Sequence, residues 1–168
     1  MLKLDNYDLK ILSAVQRDGR ISKSALAEAI GLSPSPCWTR LKRLEEAGVI
    51  SAYHAKISLR AITPFAAVFV EVTLKAHQHV AFQHFEERIK AIDEVKSCDA
   101  VGGGIDYMLK VITRDIDAYQ RMIDRLLQED IGIDRYFSYI VTRSIKEDSE
   151  NLLKTLLGTA SLPAQSDA

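Results

Sequence analysis

The run Gly31-Leu32-Ser33-Pro34-Ser35-Pro36 restricts this chain more than any other stretch. Prolines at 34 and 36 fit a helix only within its first turn, where the N–H groups have no intrahelical partner. Gly31 suits the left-handed residue that ends a helix, and Ser33 offers a side-chain oxygen as the next N-cap. One helix therefore stops here and a second starts within a few residues. Leu26, Ala29, Ile30 and Leu32 give the first an apolar side. From Cys37 the second runs to another stop at Gly48, with Cys37, Leu41 and Leu44 recurring at i, i+4, i+7 on its inner side. Two helices joined in this way over residues 21–50 make a helix-turn-helix.

The outward side of the second helix carries Ser35, Trp38, Thr39, Lys42 and, further round, Arg43. Hydroxyls, an aromatic ring and cations together on one side suit a DNA major groove, where they reach base edges and phosphates. Ser22, Lys23, Ser33 and Arg40 fall nearer the DNA backbone. The plainer alternative is a solvated amphipathic helix, and Trp38 can equally pack on the helix flank.

Net charge is only −1 over 168 residues, a poor figure for a DNA binder. Its distribution restores the case: residues 1–60 carry ten basic and six acidic side chains, and residues 61–168 carry twelve and seventeen. A modestly basic head on an acidic body binds DNA weakly alone and loses affinity steeply with salt, so pairing of heads is expected. Mean hydropathy is close to zero, and no apolar run approaches the roughly 18 residues of a membrane span. The first ten residues show no apolar signal region, which predicts a cytoplasmic protein. Cys37 and Cys98 match neither a disulfide framework nor a metal-ligand spacing and read as buried, reduced thiols.

Around the motif, a first helix is expected over residues 4–17, with Asp5 as N-cap, Asp8 in the first turn and Leu9, Ile11, Leu12 and Val15 facing inward. Residues 51–62 read as a linker strand leading out of a head that occupies residues 1–50. From Pro64 the apolar period changes from 3.6 to 2: Ala66, Val68, Val70, Val72 and Leu74 alternate with Phe65, Phe69, Glu71 and Thr73. A helix with Phe82, Phe85, Ile89 and Ile92 follows, then strands over 94–101 and 105–113 joined across Gly102, Gly103 and Gly104. The next helix turns Ile116, Tyr119, Ile123, Leu126 and Leu127 inward, and a strand over 133–145 closes the body. The order is βαββαβ, a ferredoxin-like body over residues 63–146. Residues 147–157 read as a terminal helix within a C-terminal segment, 147–168, that ends in a disordered tail. Such a sheet leaves one face open, with Phe65, Phe69, Phe137, Tyr139 and Val141 toward water, which calls for a second copy of the chain. The class is α+β: a winged-helix-type head followed by a ferredoxin-like body.

These residues resemble the Lrp/AsnC (feast/famine) family of prokaryotic transcription regulators. The likeness rests on LDNYDLKILSAVQRDGRIS, GLSPSPCWTRLKRLEEAGVI and VGGGIDYMLKVITRD with the closing strand, which span nearly the whole chain in order. It implies a DNA-binding head, an amino-acid-sensing body, and dimers that assemble into tetramers or octamers. It also implies an amino acid or related metabolite as effector, held at interfaces between dimers; no cofactor is expected. The family loop reads Gly-Asp-Tyr/Phe-Asp-Tyr; this chain has Gly103-Gly104-Ile105-Asp106-Tyr107, so Asp106 and Tyr107 match while the first acid and the aromatic are replaced. Asp106 would receive the ammonium of an amino acid, and backbone N–H groups of Gly102, Gly103 and Gly104 its carboxylate. Tyr139, Ile140 and Val141 match positions that influence effector response, and interface packing explains them equally well.

Other constellations are weak. His77, His79 and His84 lack a completing thiol or carboxylate and read as solvated histidines, and no nucleophile, base and orienting group come together, so no catalysis is expected. Two rivals to a ligand-responsive transcription factor are a DNA-compacting protein without a ligand and a regulatory module of a metabolic enzyme. Little operator preference over random DNA marks the first, and absence of DNA affinity the second.

Overall fold

In the computed structural model, which describes residues 2–146, the chain forms two compact units that part between Ile57 and Ser58, inside the expected linker. The expected helix over 147–157 and the tail lie outside the described residues.

The N-terminal unit holds α1 (Asn6–Arg17), α2 (Lys23–Ile30) and α3 (Pro34–Glu46). Each start is chemically marked. Asp5 caps α1 in a reciprocal capping box with Asp8, and the Ser22 hydroxyl accepts the Ala25 N–H at 3.2 Å. Gly31 takes φ 72° and Gly48 φ 69°, conformations a Cβ disfavours. After each, backbone bonds from Leu32 to Ala27 and from Val49 to Leu44 close the helix end in a Schellman arrangement. Ser33 occupies the N-cap of α3 but makes no capping bond. Pro36 stands at the third helical position and has no N–H for that hydroxyl to accept. Ile11, Leu12, Leu26, Ile30, Cys37, Leu41 and Leu44 form one core, with Ala14 buried where Val15 was expected and Val15 half-buried at its edge.

No strand forms over residues 51–58; a single 3₁₀ turn, Leu59–Ala61, follows instead. A strand needs a ladder partner, and none of the described segments offers one to this stretch. Tyr53, Ile57, Leu59 and Ile62 are left exposed along it.

The second unit is a four-stranded antiparallel sheet in the order β2-β3-β1-β4, built from β1 (Ala66–Leu74), β2 (Val95–Ala100), β3 (Tyr107–Thr113) and β4 (Ile133–Ile140). β4 ends five residues short of the expected strand; Val141 still donates its N–H to Ala67, and the ladder stops there. Helices α4 (His79–Lys90) and α5 (Ile116–Gln128) supply Phe85, Ile89, Tyr119, Met122, Ile123 and Leu126 to the core beneath Val68, Val70 and Val72. Ile116 and Leu127, expected inward, lie at the margin of the α5 stripe and are exposed, while Met122 takes an inner place. Phe85 is fully buried at the centre. Phe85→Ala should therefore destabilise the protein by about 3–5 kcal/mol, a large part of a typical domain's stability. The check is the shift in urea unfolding midpoint against the parent chain.

Candidate functional site

α3 presents Ser35, Trp38, Thr39 and Lys42 to solvent, opposite its buried seam of Cys37, Leu41 and Leu44. Lys23, in the first turn of α2, places its ammonium 3.4 Å from the centre of the Trp38 ring, a cation–π contact that fixes both side chains. Trp38 thus neither lies free nor packs into the core. The Thr39 hydroxyl donates to the Ser35 carbonyl at 3.1 Å, and Lys42 forms an exposed pair with Glu46 at 3.4 Å. Ser22 holds the α2 cap, whereas the Ser33 hydroxyl has no capping duty.

Arg40 and Arg43 differ from expectation. Both turn toward α1, where Asp8 is completely buried. Arg40 donates to Asp8 at 3.0 Å and to Asp5 at 2.6 Å, and Arg43 donates to the second Asp8 oxygen. In the sequence Asp8 reads as a first-turn acid only. An acid at that position satisfies the local helix rule completely, so nothing in the linear pattern signals a second duty. The Asp8 amide N–H, followed by the Arg40 guanidinium, holds the Asp5 carboxyl below its usual range.

The residues expected to receive an effector divide between two places. Tyr107 stands opposite Val72 and Tyr139 opposite Phe69, three residues apart along β1. Side chains of a strand alternate between faces, so an odd separation puts the two tyrosines on opposite sides of the sheet. Tyr107 is buried against Phe85, and its hydroxyl donates to Glu86 at 2.8 Å; burial first, then the Glu86 carboxylate, pushes its pKa well up. This corrects its expected place in an open ligand loop, because position 107 falls on the helix-covered face. Tyr107 lines a cleft of about 450 Å³ between α4 and β2 that also includes Glu86, Lys90, Lys96 and Cys98. Cys98 is half-buried there, and burial pushes its thiol up to about 11, an unreactive state.

Gly102, Gly103 and Gly104 form an exposed loop in which Gly103 alone takes a positive φ, 143°. Beside it, Asp106 anchors the end of β1. Its carboxylate accepts the Leu74 N–H at 2.8 Å and lies 3.1 Å from the His77 ring, while its own N–H donates to Val72. His77 therefore has a carboxylate neighbour and is not simply solvated. Only 16% of the Asp106 side chain is exposed, yet the carboxylate keeps lone pairs for a further donor. Tyr139, Ile140 and Val141 lie at the other end of the sheet, beside Phe69, Val68 and Ala67. From Ala67 to Leu74 is seven residues, about 23 Å of strand, so one chain does not bring the loop and this segment together. Tyr139 donates to Glu71 at 3.1 Å across the open face, where Phe69, Phe137 and Tyr139 are 40%, 50% and 50% exposed.

Residues 4–51 match a family model described as winged helix-turn-helix DNA-binding, and residues 67–151 one described as the Lrp/AsnC ligand binding domain. The transcriptional regulatory protein DoeX of Halomonas elongata is 51% identical, over 90% of this chain and 96% of its own length. The leucine-responsive regulatory protein of Escherichia coli is 34% identical, over 90% and 93%. A transcriptional regulator of Neisseria meningitidis, solved as a complex with L-Met, superposes with a TM-score of 0.84 at 32% identity, covering 92% of this chain and 99% of that one.

Asp5→Ala removes the α1 cap and should cost about 1 kcal/mol at neutral pH. The folded Asp5 carboxyl is depressed, so its stabilisation is present above the unfolded value of about 3.9 and fades as pH falls through the folded value. Denaturant titrations of parent and variant at descending pH should show the gap closing in acid.

Proposed function

This chain belongs to the Lrp/AsnC family of transcriptional regulators, and we propose that it reads operator DNA with α3 under the control of an amino acid. It is a regulator and not an enzyme. The observation that carries the DNA reading is the exposed row of Ser35, Trp38, Thr39 and Lys42 directly across the helix from its buried seam. A row of this kind enters the major groove while the seam stays on the head. Lys42 reaches base edges or phosphates, Thr39 and Ser35 add short polar contacts, and Trp38 offers an apolar edge suited to a thymine methyl. Ser22, Lys23 and Ser33, around the start of α2 and of α3, sit nearer the phosphates, with Arg40 and Arg43 behind them.

The effector is an amino acid, a reading supported by the ligand-binding family of the body and by the L-Met held in the Neisseria meningitidis relative. Asp106 receives its ammonium, and N–H groups of Gly102, Gly103 and Gly104 its carboxylate. Tyr139, Ile140 and Val141 join from another copy, since within one chain they lie at the far end of β1. The exposed Phe69, Phe137 and Tyr139 favour a homodimer closed over the open sheet face, and the exposed Ile57, Leu59 and Ile62 favour further contact along the linker. Tetramers or octamers of such dimers accommodate sites between copies. None of the described helices is long and apolar enough to cross a membrane; the cytoplasm as working place follows from the proposed reading of operator DNA, which lies there.

Lys42→Ala should weaken binding to a duplex selected by the protein from a random-sequence pool about tenfold, as read by gel retardation. Equal retardation of parent and variant rejects α3 as the reading helix. In a thermal-shift screen of the common amino acids, at least one should raise the midpoint of the parent chain. Asp106→Ala should lose that response while still retarding DNA, and equal affinity of both proteins for the amino acid by calorimetry removes Asp106 from the site.

A further inference from the structure

The outward charge of α3 is smaller than its sequence suggests. The helix contains three cations, Arg40, Lys42 and Arg43, and two of them converge on one carboxylate of α1. Asp8 Oδ1 accepts from Arg40 at 3.0 Å; Oδ2 accepts from Arg43 and also from the Asp5 N–H at 3.0 Å. Arg40 takes a second carboxylate, Asp5, at 2.6 Å, and its guanidinium lies 5.5 Å from the centre of the Tyr7 ring. Two acids and two arginines thus form a neutral knot between the first turn of α1 and the middle of α3. Lys42 is differently placed: among the described residues it reaches only Glu46, and both side chains are more than half exposed. A pair so exposed gives way readily to a phosphate.

A capping box needs only an acceptor at the third helical position, and a solvent-exposed one serves as well. Full burial of Asp8 therefore goes beyond capping, and a buried carboxylate persists only where cations and N–H groups surround it. We propose that Asp8 is a positioning residue that sets DNA specificity, because it holds Arg40 and Arg43 against α1 and leaves Lys42 and Lys23 as the cations that meet DNA. Arginines free to reach phosphates strengthen binding to every sequence alike. Restraining two of them lowers sequence-blind affinity and preserves the contrast between operator and random DNA. The inference rests on the reading of α3 as the recognition helix.

The test uses the full chain, a duplex selected from a random-sequence pool and a shuffled duplex of the same composition, each titrated across a range of salt. Every further phosphate that the protein neutralises steepens the slope of log K against log salt by about 0.9. Asp8→Asn should bind the shuffled duplex several-fold more tightly at low salt, steepen its slope by about one to two per head, and narrow the ratio between the two duplexes. Adding Arg43→Gln to that variant should reverse part of this tightening, while Arg43→Gln alone should leave the shuffled-duplex slope unchanged. An unchanged slope for Asp8→Asn, or an equal loss on both duplexes, overturns the proposal. Where Asp8→Asn does not fold, Arg43→Gln alone decides: a slope lowered as far as in Lys42→Gln means that Arg43 already touches phosphate, and the proposal falls. Lys42→Gln without effect on either duplex removes the recognition helix itself, a distinct outcome.

Discussion

The alternation of β1 is the constraint on which the body depends. This strand lies between β3 and β4, so the parity of each residue decides whether it meets the helices or the open face. Val68, Val70, Val72 and Leu74 are buried beneath α4 and α5. Phe69, Glu71 and Thr73 point the other way, beside Tyr139 and Phe137 of β4. A slip of one residue would exchange these sets and expose the core, so the pairing register is strongly specified. The same alternation gives the body its unfinished character, because helices cover only one side of the sheet. An aromatic open face is a feature of sheets that work in company.

The head reaches stability by other means. Its helices are short, and marks at their ends do much of the specifying: Asp5 and Ser22 at starts, Gly31 and Gly48 at stops, Pro34 and Pro36 in the one turn that tolerates them. A small apolar core then joins the three helices. Onto this frame the Asp8 knot adds a polar tie between α1 and α3, with its unpaired-charge penalty relieved on every side. Lys23 over Trp38 is a lighter tie between α2 and α3. Helix α3 is thus held from both of its neighbours, by the same contacts that engage Arg40, Arg43 and Lys23.

Much of this arrangement is legible from local pattern. The helix-turn-helix, the inner seam of Cys37, Leu41 and Leu44, the change of period at Pro64 and the βαββαβ order follow from spacings within a few residues. Ends of elements are less legible. The linker makes no strand, β4 stops at Ile140, and Met122 replaces Ile116 and Leu127 on the inner side of α5. Each of these depends on what lies opposite, which the segment itself does not encode.

The amino-acid sequence by itself determined the kinds of element, their order and the exposed row of α3, because caps, prolines and apolar periods act between residues no more than about four apart. Only the tertiary structure decided that Arg40 and Arg43 turn toward Asp8 of α1, across separations of 32 and 35 residues. It alone put Tyr107 and Tyr139 on opposite sides of one sheet and tied Asp106 to Leu74 and His77. Those outcomes are set by inter-strand register and by the packing of distant helices, and contacts of that range leave no periodic trace along the chain.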